Sequence, residues 1–190
     1  MDARQMVLVV IALVAIVLVV TLLLVRKRRS ERLKQQFGPE YDRTVKAHGQ
    51  RAEAVLAERE QRVKKLAIHP LSRDDRERYV LEWTQVQKQF VDNPSLALDE
   101  ADKLVTNVMA ARGYPMGDFE QRAADVSVNY PGVVQNYRSA RSIVVRRSKG
   151  QATTEDMRQA LVYYRSLFDE LLDLPKTENK NIGVSHERAS

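Results

Sequence analysis

The residues best suited to metal ligation or proton transfer are three histidines, His48, His69 and His186. None has a glutamate three positions before it, so the Glu-x-x-His pair of carboxylate-bridged di-iron bundles is absent. No His-Glu-x-x-His occurs either. The pattern puts His48 on a helix face, His69 against Pro70 at an element boundary, and His186 in the polar C-terminal stretch. The chain has no cysteine, which excludes disulfides, thiolate zinc sites, a cysteine nucleophile and lipid anchors attached through sulfur. Phosphate-cradling loops need clustered glycines, and the seven here are scattered at 38, 49, 113, 117, 132, 150 and 183. The acid pairs Asp74-Asp75, Asp99-Glu100 and Asp169-Glu170 are adjacent in sequence. On a helix, neighbouring residues point about 100° apart, so such a pair does not share a site. Capping and first-turn placement account for most of these acids. An enzyme is disfavoured, and no cofactor or metal is expected.

Two stretches are less bland. In "RGYPMGDFEQRAAD" a turn brings Tyr114, Met116 and Phe119 near Glu120 and Arg122, with Asp125 close by. The first five residues form either a docking surface at a helix junction or a packed corner with surface charges. The second stretch is the basic helix around Arg138–Lys149, with Arg138, Arg141, Arg146, Arg147 and Lys149. It offers an alternative function, a membrane-tethered nucleic-acid binder. The spacings of 3, 5, 1 and 2 do not build one stripe, however, and a solvated face or membrane contact fits better. Charge distribution points the same way. The net charge is +6, made of zero over residues 1–25, +7 over 26–69, +1 over 70–150 and −2 over 151–190. A nucleic-acid protein would carry its excess on the folded domain, so nucleic acid is not the expected partner.

The element that positions everything else is N-terminal. Residues 6–25 form a run of 20 in which Thr21 is the only polar side chain and sixteen are Val, Leu or Ile. A helix of that length covers about 30 Å, the hydrocarbon thickness of a bilayer. The sixteen aliphatics favour insertion by about 5–10 kcal/mol. A cleaved export signal would place its cations first and keep its apolar run to about 7–15 residues. Here Asp2 and Arg4 cancel in front, and Arg26, Lys27, Arg28 and Arg29 follow the run. The positive-inside rule then predicts a permanent span in the inner membrane, with residues 1–5 outside and the 165 residues after Val25 in the cytoplasm. The same four cations are placed to fix topology and to contact anionic headgroups.

Past the basic segment 26–38, Gly38 and Pro39 predict a helix end and a fresh start. Residues 39–70 read as a stalk-like helix with a narrow stripe of Tyr41, Val45, His48, Ala52, Val55 or Leu56, Val63 and Leu66. Residues 71–174 read as a compact bundle of four or five short helices. Ser72 with Asp75, Asp118 with Gln121, and Thr153 or Thr154 ahead of Glu155 and Asp156 supply the helix starts. The predicted core faces are Tyr79, Trp83, Val86 and Phe90; Ala97, Ala101, Leu104, Val105 and Val108; Phe119, Ala123 and Val126; Val133 or Val134, Tyr137, Ala140 and Val144; and Met157, Leu161, Tyr164, Phe168 and Leu171. The polar tail 175–190 is expected to be disordered. The predicted fold class is all-α.

The stretches "FGPEYDRTV", "RYVLEWTQVQKQFVDNP", "DKLVTNVMAARGYPMGDFEQRAADVSVNYPGVVQNYR" and "TTEDMRQALVYYRSLFDELL" resemble a family of uncharacterised bacterial helical proteins with a single N-terminal membrane span or apparent secretory signal. The likeness runs from about Phe37 to Leu172. It implies one helical unit in a bacterial cell and no activity, cofactor or partner. Members of that family often carry Asp-His where this chain has Asn129-Tyr130, so an acid–histidine pair is missing here. The expected function is a non-enzymatic, single-pass membrane protein that presents a helical interaction module to the cytoplasm. Its expected partners are the lipid bilayer and an unidentified protein or a second copy of itself.

Overall fold

The computed structural model describes residues 3–173, with side chains at Ile11 and from Leu13 onward. Among the described residues the chain is all-helical, without strands. The helices are α1 (Ala3–Phe37), α2 (Pro39–His48), α3 (Ala52–Lys64), α4 (Arg73–Asp92), α5 (Pro94–Ala111), α6 (Phe119–Asn129), α7 (Val134–Ser148) and α8 (Thr154–Leu171). Among the described residues no helix is long and apolar enough to cross a membrane. Side chains 6–10 and 12 of the expected span, and the expected tail 175–190, lie outside the described residues.

Local sequence chemistry sets the helix ends. Ser72 Oγ accepts from the Asp75 amide at 3.1 Å, and Asp118 Oδ1 accepts from the Gln121 amide at 2.8 Å. Thr153 and Asp156 form a full capping box, each side chain taking the other's backbone N–H. Asn93 closes α4 and opens α5, its Oδ1 accepting from the Leu96 amide at 3.1 Å with Pro94 at the first helical position.

Helices α4 to α8 share one apolar core. It holds Trp83, the α5 face from Ala97 to Met109, Tyr137, Ala140, Tyr164, Phe168 and Leu171. Trp83 stacks on Phe168 with centroids 4.7 Å apart, and Tyr137 lies between Phe119 at 4.8 Å and Tyr164 at 6.2 Å. Phe90, Phe119, Met157 and Leu161 sit at the core margin, only partly buried. Arg112, almost fully buried, donates from Nη1 to the Leu171 carbonyl at 2.5 Å, tying the end of α5 to the end of α8. The loop before α4 crosses the same corner. Gly113 there has φ +92°, and a Cβ would come within 2.5 Å of the Ala67 carbonyl oxygen, so only glycine fits.

The stalk-like helix expected over 39–70 is not one helix. It breaks at Gly49, which takes φ +54°, turns through a single 3₁₀ turn (Gly49–Arg51), and resumes as α3, which packs on α2, α1 and α6. The predicted stripe holds in α3, where Ala52, Leu56 and Val63 are buried, and is corrected in α2. Val45 and His48 are exposed, and α2 instead turns Glu40 and Thr44 inward. The basic segment 26–38 also has no break of its own. It continues α1 to Phe37, and Gly38 and Pro39 end that helix and start the next as expected.

Candidate functional site

The last turns of α1 do not hang free. Leu33 and Phe37 are fully buried and meet Leu56 of α3, with Tyr41 and Val128 packed around them. This second apolar cluster is small and separate from the main core, and carboxylates and guanidiniums complete it. Glu60, nearly buried, accepts from Arg32 at 2.9 Å and from Lys64 at 2.8 Å. The hydrogen bond from Lys64 and the charges of both cations hold its carboxyl below the usual range, against the cost of burial.

Deeper in the joint, Glu40 Oε1 accepts from Arg59 at 2.9 Å and from Arg138 at 3.0 Å. Arg138 also bonds Glu120, whose carboxylate lies 3.6 Å from Arg43. Asp125, fully buried, accepts from Arg62 at 2.8 Å and from the Gln121 amide group at 3.0 Å. These pairs link α2 and α3 to α6 and α7. Buried pairs of this kind earn little net stability over an apolar contact, but they fix geometry.

This joint was not legible as a site in the sequence. Its acids and bases are separated by as many as 98 positions, as with Glu40 and Arg138, and each taken alone looks like a solvated charge. Only the structure reveals that α2 turns an acid and a threonine, Glu40 and Thr44, inward.

The expected docking residues fall at different depths. Tyr114 is buried, and its hydroxyl accepts from Asn129 Nδ2 at 2.8 Å; burial pushes that phenol up. Phe119 is half-buried against Tyr137, and Arg122 donates to the Gly117 carbonyl at 2.8 Å. Glu120 serves Arg138 and Arg43. Only Met116 of the five projects as a large exposed apolar side chain. The corner is thus a packed junction that joins the two parts of the molecule.

The basic helix is similarly committed. Besides Arg138, Arg141 lies 3.9 Å from Asp102, Arg146 3.0 Å from Asp156, and Arg147 2.5 Å from Asp99. Lys149 alone of the five has no such partner among the described residues. A phosphate backbone would have to displace those carboxylates. Asp102 also accepts from Tyr164 at 2.8 Å, and burial, with this carboxylate beside it, raises the Tyr164 phenol far above its ordinary range.

The cations in the C-terminal half of α1 form a contrast. Arg26, Arg28, Arg29 and Lys34 are exposed and have no ion-pair partner among the described residues; Lys27 reaches Glu31 at 4.0 Å. Among the described residues no group of three or more His, Asp or Glu is placed to hold a metal ion. No family model, curated protein or solved structure matches the chain.

Proposed function

We propose that this is a non-enzymatic, single-pass protein of a bacterial inner membrane, with a short N-terminus outside and a helical module on the cytoplasmic side. The module binds a partner protein or a second copy of the chain. The observation that carries this reading is the continuity of α1. One helix leads from an aliphatic run, through a cationic stretch, into Leu33 and Phe37 in a packed cluster. From Leu13 to Val25 the Val, Leu and Ile side chains are exposed on every side of that helix. A helix that is apolar all round belongs in a core or in lipid, and no protein covers this one among the described residues. Thr21 satisfies its hydroxyl on the Val17 carbonyl at 2.7 Å, as a lone polar residue in hydrocarbon must. The full run in the sequence, residues 6–25, has the length a bilayer requires.

Tethering raises the effective concentration of the module for membrane-associated partners without any new contact. The tight joint adds that the module is presented at one angle to α1. Because the chain has no cysteine, single introduced thiols report topology without background. In spheroplasts, an impermeant maleimide is expected to label Ala3→Cys and to spare Leu81→Cys, an exposed position in the module. Labelling of Leu81→Cys before permeabilisation, or loss of the first 25 residues from the mature chain, overturns the placement. Crosslinking in cells is expected to attach a stoichiometric partner or a second copy. Monomer alone under every condition overturns the interaction role.

A further inference from the structure

The structure separates the cations of the basic stretch into two sets. Arg32, Arg43, Arg59, Arg62 and Lys64 are spent on carboxylates within the joint. Arg26, Arg28, Arg29 and Lys34 on α1 are exposed and unpaired among the described residues, as are Lys46, Arg51 and Lys65, but only the α1 set directly follows the aliphatic run. Resting on the membrane placement above, we propose that these four residues form a binding collar for anionic phosphate-bearing lipid headgroups, beyond any role in setting topology.

Three features carry this. The first is angular. At 100° per residue the four side chains leave the helix axis at about 0°, 200°, 300° and 80°, so no gap exceeds about 120°. A protein or nucleic-acid partner docking on one side would need a stripe. A ring suits a helix surrounded by headgroups. The second is depth. Arg26 to Arg29 lie within about 6 Å of Val25 along the axis, and the headgroup layer is about 5–8 Å thick on each side. Lys34 lies about 13 Å along, and helical side chains tilt toward the N-terminus, which here is back toward the bilayer. The third is fixity. Leu33 and Phe37 are packed on Leu56, so the collar keeps one orientation relative to the module unless that cluster breaks. The neighbouring basic residue Arg32 is withdrawn from the collar by Glu60.

The test uses full-length protein reconstituted in nanodiscs of mixed zwitterionic and phosphatidylglycerol lipid, with the lipids that co-purify counted by mass spectrometry. At about 1 kcal/mol per cation, each residue contributes roughly a fivefold preference for the anionic lipid in its immediate shell. The wild-type chain is expected to retain phosphatidylglycerol above its bulk fraction. The variant R26Q/R28Q/R29Q/K34Q is expected to return to the bulk fraction, while the control K46Q/R51Q, which changes two exposed cations outside α1, keeps the enrichment. Equal lipid composition for wild type and the fourfold variant, both properly inserted, overturns the collar. Failure of the wild-type chain to insert at all would instead count against the membrane placement. Loss of enrichment in the control as well would show only a general effect of net charge and also overturns the proposal.

Discussion

The molecule is held together in two different ways. In the α4–α8 bundle, aromatic and aliphatic side chains from five helices share one core centred on Trp83, Tyr137, Tyr164 and Phe168. In the joint, where α1 to α3 meet α6 and α7, the apolar centre shrinks to Leu33, Phe37 and Leu56, and ion pairs through Glu40, Glu60, Asp125 and Arg138 supply much of the contact. Apolar burial is non-directional and drives folding by area. Charged hydrogen bonds contribute less net energy but are strict about distance and angle. The difference teaches a division of labour: the bundle provides stability, and the joint sets the orientation of the bundle on α1.

The largest expected effect breaks the first region. Trp83→Ala removes the ring stacked on Phe168 and leaves a cavity, at a cost of about 3–5 kcal/mol. For a chain of this size the thermal midpoint should fall by about 6–20 °C, with amide protection lost across α4, α5 and α8 together. Loss of protection in α2 and α3 alone would mean that the bundle does not carry the stability assigned to it.

Next, Arg138→Met strips Glu40 of one of its two partners while the carboxylate stays buried, at a cost of about 3 kcal/mol. Here hydrogen exchange should rise first in α2 and α3, with α5 and α8 little changed. Adding Glu40→Gln is expected to deepen the loss rather than recover it, because Arg59, itself largely buried, then has no carboxylate. Recovery by Glu40→Gln would show that packing, not charge pairing, holds α2 in place. Leu56→Ala should cost about 2–3 kcal/mol, again confined to α1, α2 and α3, because its cluster is separate from the main core.

The two regions also differ in how readable they were. The bundle followed from apolar spacing and caps: the α5 face from Ala97 to Val108, Trp83 with Val86, and the Ser72, Asp118 and Thr153 starts are all where periodicity and capping chemistry put them. Local patterns suffice there because each helix has one apolar face and a clear beginning. The joint was missed because its determinants are pairwise and remote. Nothing near Glu40 in sequence reveals that Arg59 and Arg138 await it, and the 39–67 stretch has helix formers enough to hide the break at Gly49. The corner around Tyr114 could be read as docking surface or packed junction for a related reason: the choice turns on Asn129, whose side-chain N–H donates to the Tyr114 hydroxyl from 15 positions away.

The smallest effect sharpens the comparison through pH. Glu60 has its carboxyl held low in the folded state by Lys64 and Arg32, so its contribution is fully present above the ordinary carboxylate range near pH 4.3 and is lost as the pH falls through the depressed folded value. The joint should therefore loosen below about pH 4, while a bundle held by apolar contacts keeps its helical protection at the same pH. Glu60→Gln should flatten that acid response of α1 and α3 and, near neutral pH, lower the midpoint by no more than a few degrees, since Arg32 and Lys64 remain largely solvated. Hydrogen exchange measured from pH 7 down to pH 3 on both chains separates the cases. If α2, α3 and the bundle lose protection at one common pH in both, the joint is not a distinct cooperative unit and the division of labour fails.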